Sequence, residues 1–277
     1  MKKGLFVLIL TGFLSLCASA QTAPAPVSDS VSVHLLPTLP TFGGYMLSSG
    51  PLYYDGDSFE LHSEWDLSSY SYAYGVCKGS TYFDYISLGK YFDSRKESFN
   101  MDSGNIDNLG GHIRYAGYDD WRLPSVNDWK SIVGIYRPGA VVNGMKHACF
   151  AMVMLRDYAY LGMSSCTGLL LFPDNVELSG KRLFEINTTR VTHDFKESDL
   201  DDYLSKGCVF LPMAGYYSIA RLGWYFGGAE GWYQSSDCLT DNDSVIMFYG
   251  CRDIPGTVKT LKVYHFLPVR LVRRAKQ

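Results

Sequence analysis

The sequence predicts an α+β fold, with many short strands and two short helices. Three observations carry this expectation. Short apolar runs recur between breaks rich in Gly, Asn and Asp. Only two segments carry helix-start signals. No fixed-period repeat is visible, nor the alternation of strands with long helices that marks a parallel sheet.

The chain opens with a leader-like segment, residues 1–20. Lys2 and Lys3 form a basic start, Gly4 to Leu16 an apolar stretch, and Ala18-Ser19-Ala20 a small-residue cleavage site. The apolar stretch is short for a bilayer span, which needs about 20 residues. Cleavage before Gln21 is the preferred reading, and it implies export to the periplasm, the outer-membrane surface or the medium. A lipid anchor on Cys17 is the weaker alternative, because Leu16 is large where an attachment box wants a small residue. Residues 21–30, QTAPAPVSDS, read as a linker. Residues 31–277 are expected to form one domain, within the range of β-rich folds.

Residues 81–92, TYFDYISLGKYF, fit a strand or a helix equally. Next comes DWRLPSVNDW. Asp119 and Asp120 precede Arg122, with which either carboxylate can pair. Leu123 and Trp129 are expected in the core, and Pro124 sets the turn. Ser125 and Asp128 form a capping box, so 125–135 is read as helix, with Trp129, Ile132 and Val133 on one face. This motif is read as scaffold. Strands are expected over 149–155, 168–172, 208–214, 231–235, 244–249 and 262–272. A second helix is expected over 198–205, started by Ser198 with Asp201 and stopped by Gly207.

Composition narrows the partners. Net charge is −3, aromatic content 15%, and tyrosines number 21. A nucleic-acid binder would want a basic stripe, which is absent. Tyr-rich, weakly charged surfaces suit sugar or protein ligands, since tyrosine joins flat apolar area to a polar tip. Cys77, Cys149, Cys166, Cys208, Cys238 and Cys251 would remain after cleavage. Their spacing offers no C-x-x-C pair and does not choose a pairing. Cys208, in the apolar run GCVFLP, reads as a buried thiol, and Cys238–Cys251 as the pair to test first.

The blocks DWRLPSVNDW, GLLLFPDNV, GCVFLPMAGYYS, GWYQSS and FLPVRLVR occur in this order. Together they resemble the Fibrobacter succinogenes major paralogous domain family of exported Bacteroidetes proteins. The related C-terminal domain of the Legionella collagen-like adhesin is similar. The resemblance spans about Gly43 to Arg273. It implies a C-type-lectin-like fold, with twisted antiparallel sheets braced by a few short helices and a variable face built from loops near the C-terminus. Relatives read Tyr-Trp-Ser-Ser where this chain has Trp232-Tyr233-Gln234-Ser235-Ser236. The fold name does not establish sugar binding.

The candidate ligand-binding segment is aromatic and Gly-rich. It holds Tyr216, Tyr217, Trp224, Tyr225, Phe226, Trp232, Tyr233 and Gln234, then Asp237, Asp241, Asn242 and Asp243. Aromatic faces and neighbouring carboxylates or amides suit a sugar's apolar face and hydroxyl edge. In the structural alternative, Trp232 and about half of the tyrosines fill the core. Trp224→Ala is expected to weaken binding without unfolding the domain. A structural role in the assembly of a surface appendage is the alternative function.

No cofactor is expected. The alternative is calcium held through Asp241-Asn242-Asp243, or through Asp102, Asn105 and Asp107, although neither group has EF-hand spacing. An enzyme is not expected. The six histidines are scattered, and no zinc-protease, nucleophile-elbow or phosphate-loop motif is present. RLPSVNDW also resembles a motif of the formylglycine-generating enzymes. The Glu-Tyr-Ala-Ala-Arg run that follows it there is replaced by KSIVG.

Overall fold

The computed structural model describes residues 39–61, 81–83, 113, 115–134, 139–142, 145–158, 164–174, 176–178, 188–218, 223–240, 243–250, 257–262 and 265–275. Its centre is a four-stranded sheet. Phe150–Leu155 pairs antiparallel with Cys166–Leu171, which pairs antiparallel with Val209–Pro212. Thr192–Phe195 joins the other side of Phe150–Leu155 in parallel. Phe150–Leu155 and Val209–Pro212 read as apolar runs because both faces are covered, whereas the edge strand Thr192–Phe195 exposes Asp194. Ala151, Val153, Leu170 and Phe210 face one core cluster, with Leu200 and Tyr203 of the helix Glu197–Leu204. Their neighbours Phe150, Met152, Leu169, Leu171 and Leu211 face a second cluster. There they meet Trp129 and Ile132 of the helix Val126–Ile132, with Tyr233, Met247 and Tyr249 of the next sheet. That sheet runs Glu230–Thr240, Asp243–Gly250 and Thr257–Lys262, all antiparallel. The architecture is therefore sheet-rich, with two short helices among the described residues.

The two ends of the described chain meet. Tyr45–Leu47 pairs with Thr41–Phe42 on one side and Val272–Arg274 on the other. The stiff DWRLPSVNDW element is tied to this closure. Arg122 and Val272 exchange both backbone hydrogen bonds at 2.9 Å, and Ser236 N donates to Pro124 O at 2.9 Å. Leu123 and Trp129 are buried, as expected. Ser125 caps the helix, and Asp128 completes the box by accepting from Ser125 N at 2.7 Å. The helix is shorter than the 125–135 expected, ending at Ile132.

Three expectations are corrected. Arg122 does not pair with Asp119 or Asp120. Its guanidinium donates to Asp128 at 2.5 Å, six residues ahead. Asp120 instead takes a two-pronged contact from Arg273 at 2.5 and 3.0 Å. The Arg273 guanidinium lies 3.6 Å over the Tyr118 ring and is 2% exposed. A planar fork suits this combined carboxylate and ring contact. The second helix runs Glu197–Leu204, one residue early, with Lys196 rather than Ser198 at the cap position and Asp199, not Asp201, accepting from Lys196 N at 2.9 Å. Residues 262–272 do not form one strand. Thr257–Lys262, Leu267–Pro268 and Val272–Arg274 belong to three sheets, since the chain leaves one sheet to pair with Tyr82–Phe83 and then with Tyr45–Leu47. Of the ambiguous 81–92 segment, Tyr82–Phe83 is strand and 84–92 lie outside the described residues.

Asp128 gives the fold an acid-sensitive joint. Burial pushes its carboxyl up. Hydrogen bonds from Arg122, Ser125 N, Tyr45 and the Ser125 hydroxyl outweigh this and hold it down at about 2 against an ordinary 3.8. A carboxyl depressed on folding contributes stability above its unfolded value and loses it as pH falls through the folded value. About 2 kcal/mol is expected to be lost between about pH 4 and pH 2. Urea titrations should show the gap between wild type and Asp128→Asn closing over that window.

Cys149, Cys166 and Cys208 are buried as thiols. Cys77 and Cys251 lie outside the described residues and Cys238 is placed by its backbone alone, so the Cys238–Cys251 pairing lies outside them too.

Candidate functional site

The site grows from the strand starting at Glu230. Alternation along Glu230-Gly231-Trp232-Tyr233 sends Glu230 and Trp232 to one side, Gly231 and Tyr233 to the other. Tyr233 enters the core. A Cβ on Gly231 would lie 2.0 Å from the Tyr249 ring, so this position admits no side chain. On the opposite side Trp232, 6% exposed, packs with Leu267 and Tyr216. Its indole N–H donates to Glu230 Oε2 at 2.9 Å. The Lys259 ammonium sits 5.4 Å from its ring centroid.

Tyr216 organises the remaining rings. It pairs with Tyr225 across the Tyr216–Ser218 and Gly223–Tyr225 hairpin, and the two rings stack at 5.7 Å. The Tyr216 ring also stacks on His265 at 5.1 Å and meets the edge of Trp232 at 5.1 Å.

Phe226 completes the cluster and is its exception. It is 48% exposed, the one exposed large hydrophobic residue among those described. Its φ is +59°, in the left-handed region that bulky L-residues avoid. The turn is nonetheless tightly held. Ala229 N and Glu230 N both donate to Phe226 O, at 3.0 and 2.9 Å, and Gly228 N donates to Met213 O at 2.7 Å. Below it, Gly215 has φ +61°, and a Cβ there would lie 2.1 Å from Tyr225 O. The Phe226 ring lies nearly parallel to Trp232, 19° apart with centroids at 6.2 Å. Trp232 thus backs the ring, and solvent meets Phe226.

The sequence-predicted site residues divide. Tyr216, Tyr225 and Trp232 come together, although Trp232 is a buried support. Tyr217 points the other way, against Phe266 and the core. Trp224 is placed by its backbone opposite Tyr217, and its side chain lies outside the described residues. Gln234 is corrected as a contact: it is fully enclosed and presents nothing to solvent. Asp237, half-buried, accepts from Val126 N at 2.5 Å, beside the Ser125 cap at the start of the first helix. Asp241 and Asn242 lie outside the described residues, and Asp243 is placed only as a strand residue paired with Thr240 and Lys262. The calcium candidates at Asp102, Asn105 and Asp107 also lie outside them. Among the described residues no cluster of His, Cys, Asp and Glu is arranged to hold a metal.

Glu230, Lys259 and His265 were not singled out from sequence. Alternation from Trp232 would have found Glu230. Lys259 and His265 arrive by long-range pairing, which leaves no local signal. Comparison with protein families, curated proteins and solved structures finds no match for this chain. Among the described residues no helix is long and apolar enough to cross a membrane.

Proposed function

We propose that this chain is an exported or cell-surface binding module without catalytic activity, which contacts a glycan or protein ligand through the aromatic face around Phe226. The fold reading is C-type-lectin-like. Two short helices on opposite faces of a largely antiparallel sheet support it, as do the five ordered sequence blocks of the Fibrobacter succinogenes major paralogous domain type.

One observation carries the function. Phe226 occupies a backbone conformation costing about 1–2 kcal/mol for a residue with a Cβ. Glycine would avoid that cost, and the chain uses glycine at 227 and 228. The exposed ring gains only partial burial in return. Strain retained in a well-held turn, on an exposed aromatic residue, points to a contact.

Co-sedimentation with isolated cell envelopes tests this. Phe226→Ala is expected to lower retention roughly tenfold, from the contact area of half a ring, while circular dichroism is unchanged. Equal retention would remove this face as the contact.

A further inference from the structure

We infer that the ligand of this face is a glycan, and that Phe226 receives the apolar face of one pyranose ring while Glu230 accepts hydrogen bonds from its hydroxyls. This rests on the binding reading above and decides between its two ligand classes.

Size is the first ground. A stable protein interface needs roughly 800 Å² on each partner, with several apolar anchors. Phe226 is the sole exposed large hydrophobic residue among those described. A single ring backed by Trp232 matches one sugar ring.

Chemistry is the second ground. The platform is bordered by hydrogen-bonding groups. Glu230 spends Oε2 on the Trp232 indole, and its Oε1 takes no hydrogen bond among the described residues. The indole bond fixes the carboxylate beside the platform, and a carboxylate oxygen accepts from hydroxyl groups. The Tyr216 and Tyr225 rings, both half-buried, flank Phe226 at 6.1 and 6.4 Å. Aromatic support with a fixed acceptor at its edge serves both surfaces of a sugar. None of these groups requires a metal to act.

The test is an array of oligosaccharides in gluco, galacto, manno and N-acetylhexosamine configurations, probed with the whole protein in chelator. Binding is expected to at least one configuration. It should persist in Phe226→Tyr, weaken roughly ten- to fiftyfold in Phe226→Ala, and weaken severalfold in Glu230→Gln, whose amide oxygen can still accept from the indole. An array without binding, or with binding equal in wild type and Phe226→Ala, would overturn the glycan assignment. If envelope retention still fell in Phe226→Ala, the aromatic face would stand as a contact for protein. If retention were also unchanged, both readings would fall.

Discussion

Trp129→Ala is expected to destabilise the domain by roughly 3–5 kcal/mol, the usual cost of emptying a buried tryptophan site. Trp129 is 1% exposed and lies where the first helix meets both the central sheet and the Glu230–Thr240 sheet. Its ring packs 6.0 Å from Tyr233, and its indole N–H donates to Gln234 O at 3.2 Å. The truncation removes that bond and opens a cavity among residues drawn from distant parts of the chain. The thermal midpoint should fall by on the order of 10 °C. A fall of a degree or two would mean that this junction does not organise the core.

Gly215→Ala is expected to remove the ligand face and to cost roughly 2–4 kcal/mol, from overpacking together with a left-handed φ. The new Cβ would meet Tyr225 O at 2.1 Å, Gly227 N at 2.5 Å and Phe226 C at 2.9 Å. All three are backbone atoms, so no side chain can swing aside. The turn carrying Phe226 must shift, and envelope retention should go with it. Gly227→Ala is the matched control, because a Cβ there meets nothing within 4 Å. It should leave both stability and retention near wild type. Sensitivity at 227 with tolerance at 215 would contradict the packing described for this turn.

The legible parts of the sequence were those fixed by local rules. The runs at 149–155, 168–172 and 208–214 declare strands, since each is short and dominated by apolar residues. Ser125 and Asp128 declare a helix start because both halves of the capping box lie within one turn. The partners of the arginines were illegible. Arg122 reaches forward to Asp128, and Asp120 waits for Arg273, more than a hundred residues away. Sequence proximity favoured the wrong pair. The same limit applies to Asp237, whose bond from Val126 N joins residues 111 apart in the chain. At the site, composition located the aromatic segment but not its exposed member. Burial of Trp232 and inward placement of Tyr217 depend on which sheet each strand joins. The left-handed turn at Phe226 was hidden by the two glycines that follow it, where positive φ would ordinarily be sought.

The most direct measurement is the thermal midpoint of Phe226→Gly, taken with envelope retention on the same preparation. Glycine relieves the left-handed backbone and loses the half-buried ring, two terms of similar size and opposite sign. The midpoint is predicted to stay within about 2 °C of wild type while retention falls at least as far as in Phe226→Ala. A midpoint several degrees lower with retention intact would show that Phe226 is held for folding and that the contact lies elsewhere.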